Sequence, residues 1–228
     1  TYYTYGLFDR ARIPDRATAL SYSDPTIASR EFARFALPCL RGLATRKHLL
    51  YRLLPAMGLP VPEIRALYGP GPDGFERHRS MTTPAQLADY LRTTDQLPLF
   101  GKPSRWKRGR GVLVIRAREA DGRLRLDTDE LLPAEQIADR IDRVARRRGT
   151  YLLTELLRNR RDIRALCGEP LASLRIVTLV RRGVPELLGA VILLPRAGQR
   201  VSNWNGGRGG SLCGAVELSG GRIHRVLS

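Results

Sequence analysis

One amphipathic helix constrains this chain more than any other segment. From Pro133 to Arg148, Ile137, Ile141 and Val144 fall on one face, while Asp139 with Arg143 and Asp142 with Arg146 pair at i, i+4. Gly149 ends the helix, and Tyr151–Leu153 follows at once as a buried apolar strand leading to Glu155. A long helix followed at once by such a strand marks a chain that mixes both element types.

The flanking segments read the same way. Thr45 can cap a helix with a Leu49, Leu50, Leu53, Leu54 stripe, and Gly58 can take the left-handed position after it. Leu59-Pro60-Val61-Pro62 then forces extended backbone, because each proline fixes its own φ and moves the preceding residue out of the helical region. A strand is expected over Val61–Tyr68, followed by the turn-rich 69–74 segment. Thr83-Pro84-Ala85-Gln86 is a capping box with proline at the first helical position. Leu97–Phe100 and Val112–Ile115 read as strands, Asp121-Gly122 as a hairpin turn, and Leu174–Val180 with Leu187–Leu194 as a hairpin around Arg182-Gly183. A last strand is expected near Val216–Leu218.

Composition sets outer bounds. The 228 residues, 43% of them hydrophobic, suffice to bury a sizeable core. The longest uncharged apolar run, Leu187–Leu194, is far too short to cross a bilayer, and no basic-then-apolar leader opens the chain. Cys39, Cys167 and Cys213 are odd in number and never form CxxC, which argues against a disulfide framework or a zinc site. A soluble, cytoplasmic protein with idle thiols is expected, with no membrane insertion.

The net charge of +17 points at polyanions, yet its 39 basic residues are 36 Arg and 3 Lys. That bias draws attention to Lys47, Lys102 and Lys107, where a compact ammonium on a slim stem was kept. Lys102 leaves a buried strand beside a loop holding Gly109 and Gly111, a setting in which an ammonium and backbone N–H groups could hold phosphate. No Walker A spacing is present, and a solvated basic hairpin would also give this pattern. Lys47 sits in the first turn of its helix, where the dipole disfavours a cation.

Glu155 could meet a nucleotide's base or ribose, or could pair with the Arg158–Arg164 run. Alternation sets Arg175 on the face opposite Leu174 and Ile176, where a core arginine would need an anion. Asn203 or Asn205 could offer oxygen to magnesium, or could serve the turn alone. His48, His78 and His224 are scattered, and no nucleophile motif emerges.

The order of these signals resembles the ATP-grasp superfamily, and within it the sugar-transfer-associated group related to alpha-L-glutamate ligases. The residues that carry the resemblance run from about 41 to 218: Lys47, Gly58-Leu-Pro-Val-Pro62, Lys102-Pro103 before a glycine loop, Thr154-Glu155-Leu-Leu157, Leu174-Arg-Ile-Val-Thr-Leu179, Arg196-Ala-Gly198 and Asn203-x-x-Gly-Gly207. The resemblance implies an α+β ATP-grasp fold in which two subdomains enclose a nucleotide cleft. It implies an N-terminal helical segment at 1–58, a small lid subdomain at 59–157 and a C-terminal subdomain at 158–228. Lys47 and Lys102 would contact the ATP phosphates, Gly109 and Gly111 would belong to the covering loop, and Glu155, Leu156 and Leu157 would hold adenine. Arg175 and Arg196 would surround the γ-phosphate, with Asn203 at the Mg2+ site. The implied chemistry is that of a ligase: a small-molecule carboxylate is phosphorylated to an acylphosphate, which an amine then attacks.

Some positions depart from that pattern. Ser202 stands where an aspartate often precedes the asparagine, Arg46 replaces the aspartate usual before the first lysine, and Glu186 and Glu217 are the only acids after Pro170. The expectation is that the metal-holding C-terminal part is missing from this chain. The alternatives are a catalytically incompetent nucleotide-binding module and a basic nucleic-acid-binding protein. Nucleic acid is disfavoured, because no recognised nucleic-acid fold emerges and Trp106 is the one aromatic in the Arg105–Arg110 and Arg158–Arg164 clusters. Neither substrate identity nor oligomeric state is specified by the sequence.

Overall fold

In a computed structural model, residues 42–69, 79–106, 109–196, 199, 202 and 210–227 are described. The chain divides into two compact units, Thr1–Thr45 and Arg46–Ser228. In the first, the Thr45 hydroxyl donates to the Gly42 carbonyl at 3.0 Å, so it closes a local turn and caps nothing downstream.

The second unit opens with α1 (Lys47–Ala56), whose N-cap position is Arg46 with no side-chain cap, in place of the expected Thr45. Its far end matches the sequence. Gly58 takes φ +73°, its N–H reaches the Pro55 carbonyl, and the Leu59 N–H reaches that of Leu54, so the last carbonyls are satisfied as in a Schellman motif. The leucine stripe is not the buried face, since Leu53 is 41% exposed while His48 is buried.

A seven-stranded mixed sheet follows. Its strands are β1 (Ile64–Tyr68), β2 (Arg79–Met81), β3 (Leu99–Pro103), β4 (Leu113–Arg118), β5 (Leu124–Leu126), β6 (Leu131–Leu132) and β7 (Tyr151–Glu155), in the order β2-β1-β7-β3-β4-β5-β6. Only the β1–β2 pair is parallel. β1 starts three residues after the expected Val61, because Pro62 has no N–H to give a ladder.

Two helices, α2 (Pro84–Thr93) and α3 (Ala134–Arg148), cover one face of this sheet. Leu87 and Leu91 of α2 and Ile137 and Ile141 of α3 meet Leu99, Ile115, Leu153 and Tyr151 in the main core, all nearly inaccessible. Each such side chain contributes about 1.5–3 kcal/mol of burial. The capping box forms as expected: the Gln86 N–H donates to Thr83 Oγ1, and the Thr83 N–H donates to Gln86 Oε1. The opposite face carries a smaller cluster of Ile64, Leu67 and Leu152, with Tyr51 of α1 packed on it.

After α4 (Arg161–Cys167) comes a second sheet, four strands in the order β11-β10-β9-β8: β8 (Ser173–Arg181), β9 (Val184–Leu194), β10 (Leu212–Val216) and β11 (Ile223–Leu227). The β8–β9 hairpin turns at Arg182 (φ 52°) and Gly183 (φ 82°), the left-handed pair that a two-residue hairpin requires. The last strands fall at 212–216 and 223–227, in place of one near Val216–Leu218. Strand pairing sets Leu174, Ile176, Val180, Leu187, Val226 and Ile223 on one face, with exposures from 42% to 66%. Among the described strands β8 is therefore an edge strand with an exposed apolar face, and not the core strand expected from its composition.

The described residues form a mixed α+β protein. Among them, no helix is long and apolar enough to cross a membrane.

Candidate anion-binding site

Strand alternation decides which expected site residues share a surface. Along β3, Phe100 and Lys102 fall on one face and Leu99, Gly101 and Pro103 on the other. Register pairs Phe100 with Thr154, Lys102 with Leu152, and Leu152 with Leu67. Lys102 thus stands on the face of the smaller cluster, above Leu152 and beneath α1.

The Lys102 Nζ donates to Tyr51 Oη at 2.8 Å and lies 4.5 Å from the Tyr51 ring centroid and 5.3 Å from that of Phe100. Two aromatic faces stabilise an ammonium through their quadrupoles. No described carboxylate forms an ion pair with it. Burial lowers its pKa to about 8, since the charged form loses hydration with no anion to replace it. Burial also pushes the Tyr51 hydroxyl upward, so it stays a protonated donor.

Lys47 lies one helical turn before Tyr51, and its ammonium is turned to a different task. It donates to the backbone carbonyls of Pro103 (3.3 Å), Ser104 (2.9 Å) and Trp106 (2.6 Å). It thereby anchors the start of the loop that follows β3. Beside it, the buried His48 Nδ1 and Ser104 Oγ share a 2.6 Å hydrogen bond, which explains why α1 buries its histidine.

The far end of the same loop is held from the sheet. Tyr151 Oη donates to the Gly111 carbonyl at 2.8 Å. Gly111 has φ +69°, and a Cβ there would come within 3.2 Å of the Trp106 ring, so both conformation and space favour glycine. Trp106 is covered on its ring by the Arg148 guanidinium at 4.6 Å. Gly109, with φ +68°, begins the return of the loop.

Glu155 lies elsewhere. It pairs with Leu99, on the face opposite Lys102, and its Oε1 accepts the Glu63 N–H at 2.8 Å. Leu156 is half-buried and Leu157 is 41% exposed, at the point where the chain leaves the sheet. Arg175 is exposed on β8, and pairing puts it on the face away from Leu174 and Ile176, as alternation requires. Arg196 is exposed just after β9, its carbonyl accepting the Gln199 N–H. Asn203 and Asn205 lie outside the described residues, as do Lys107, Cys39 and His78. The structure ties Lys47 to the start of the loop that follows Lys102, while the Gly111 end of that loop is held by Tyr151, which like Glu155 lies on the face opposite Lys102.

Among the described residues, no group of three His, Cys, Asp or Glu side chains could hold a metal. Glu186 pairs with Arg181 near the β8–β9 turn. The described residues thus offer no set of ligands for magnesium.

The sequence matches no protein-family model and no curated protein.

Tyr51 belongs to no motif, and nothing in the local sequence marks it as a partner of Lys102. Its hint was position alone, one turn after Lys47 on the same helix face.

Proposed function

We propose that this chain binds the phosphate groups of ATP at Lys102, as the nucleotide-binding part of an ATP-grasp, ligase-like protein working in the cytoplasm. The observation that carries the proposal is the ammonium itself: Lys102 is desolvated, held by the Tyr51 hydroxyl and by the rings of Tyr51 and Phe100, and paired with no described carboxylate. A phosphate oxygen would supply the missing counter-charge. In this reading the neighbouring loop, with glycines at 109 and 111 and anchored by Lys47 and Tyr151, would have to supply the cover over such a group.

In this reading Lys47 either keeps the loop in shape or exchanges its carbonyl partners for phosphate oxygens. Ligase chemistry would have a substrate carboxylate oxygen attack the γ-phosphorus with loss of ADP, after which an amine displaces phosphate. Such transfer depends on positioning and charge neutralisation more than on a protein nucleophile. Magnesium would need ligands from outside the described residues, Asn203 among them, and no step is assigned to it.

Equilibrium titration with ATP, in the presence of Mg2+, tests the proposal. Saturable binding that weakens at least tenfold in Lys102→Ala supports it. An unchanged affinity in that variant, or no binding by the wild-type chain, overturns it. Binding without ADP release across carboxylate and amine mixtures would favour the non-catalytic nucleotide-binding module.

A further inference from the structure

Lys102 and Tyr51 together offer more hydrogen-bond donors than the described structure uses. An ammonium has three N–H bonds and accepts nothing, so in the 2.8 Å contact the tyrosine oxygen must be the acceptor. The phenolic proton of Tyr51 is then free to point away from the lysine. No described group accepts it, and two N–H bonds of Lys102 are likewise without a hydrogen-bond acceptor among the described residues.

The surroundings offer no substitute. β7 places Leu152 beside Lys102, and α1 presents Tyr51 above it. Lys47, the other charged group on that helix face, is occupied by the loop carbonyls. Glu155 is on the opposite face of the sheet. Among the described residues no acceptor meets these three donor bonds, and a tetrahedral oxyanion has the acceptors to match them.

We propose that Tyr51 is a second direct ligand of the bound phosphate: its hydroxyl takes one hydrogen bond from Lys102 and donates its own proton to a phosphate oxygen. This rests on the reading of Lys102 as a phosphate-binding residue. Lys102 supplies charge, while Tyr51 supplies a directed neutral donor and keeps the ammonium from turning away from the ligand. The aromatic ring also screens the pair from water, which strengthens both bonds.

The test compares wild type with Tyr51→Phe and Lys102→Ala, titrated with inorganic tripolyphosphate and with ATP at pH 6.5, where Lys102 is charged in either background. Tyr51→Phe keeps the ring, its packing and its cation–π contact, so circular dichroism and melting should remain close to wild type. The expected result is a five- to twenty-fold weaker Kd for both probes in Tyr51→Phe. An unchanged Kd in that variant, with wild type binding and Lys102→Ala impaired, overturns the role of Tyr51 alone. No binding of either probe by wild type overturns the phosphate reading and this inference with it. A Tyr51→Phe loss seen only above pH 8 and absent at pH 6.5 assigns Tyr51 to solvating the lysine and also overturns direct ligation.

Discussion

The Lys47 ammonium donates to the Trp106 carbonyl at 2.6 Å, tying the first helix of the unit to the loop that leaves β3. It binds the Pro103 and Ser104 carbonyls as well, so one cation satisfies three backbone acceptors in a part-buried setting. Hydrogen bonds to a charged group are worth about 1.5–3 kcal/mol, and leaving such acceptors unmet costs a similar amount. Lys47→Met should lower stability by roughly 2–3 kcal/mol in urea unfolding. It should also speed proteolysis within the 104–111 loop, and an unaltered cleavage pattern would show that the loop stands without it.

A second prediction concerns Gly101. A Cβ there would lie 2.8 Å from Tyr151 Cε1 and 2.9 Å from Tyr151 Oη. Gly101→Ala must displace the ring that holds the Gly111 carbonyl, so packing and loop anchorage fail together. The expected cost is about 2–3 kcal/mol, the upper part of the range for overpacking. Tyr151→Phe, which removes only the hydroxyl, should cost about 1 kcal/mol. Equal losses in the two variants would contradict the steric account.

Lys102 gives stability an unusual pH slope. Its ordinary pKa of 10.5 applies to the unfolded chain, and burial lowers the folded value to about 8. Between those values the unfolded state holds more protons, so the lysine's contribution to stability rises with pH across that window. Below pH 8 both states are protonated, and the cost of burying the charge is fully present. Lys102→Met should therefore stabilise the ligand-free protein below pH 8 by about 1–2 kcal/mol, less what the lost cation–π contacts contributed. The gain should fade by pH 10.5, and a gain that does not change with pH would contradict the burial of the charge.

The bare face of the four-stranded sheet makes a fourth prediction. Ile176 is 57% exposed and Val180 66% exposed, on the face that also carries Leu174 and Leu187. Patches of this kind drive association. Ile176→Asp with Val180→Asp should reduce light scattering in concentrated solution and leave the melting temperature within about 2 °C. A large fall in melting temperature would show that the face is covered.

Local chemistry was legible in the sequence wherever a few adjacent residues decide the outcome. The Thr83–Gln86 capping box, the left-handed Gly58 and the Arg182-Gly183 hairpin each depend on residues within one turn. So did the α3 to β7 passage, because an amphipathic period and a buried apolar run leave little freedom. Thr45 misled as a cap because its hydroxyl found the Gly42 carbonyl first. The leucine stripe of α1 misled because a buried His48–Ser104 hydrogen bond, made across 56 residues, sets the helix's rotation. The Lys102–Tyr51 contact spans 51 residues and follows from the packing of α1 on the smaller face of the sheet, which no local pattern encodes. Apolar composition in β8 indicated a strand, but it carries no information on whether a second layer covers it.

With three lysines in the chain, the ammonium groups can be resolved individually by NMR after isotopic labelling of lysine alone. Lys102→Arg assigns the signal, and a pH titration with and without MgATP reads its pKa directly. The result expected is one lysine titrating near 8 in the free protein, and moving upward when ATP binds because phosphate favours the charged form. A Lys102 that titrates at its ordinary value, or whose pKa does not change with saturating MgATP, would contradict its role as the phosphate-binding residue.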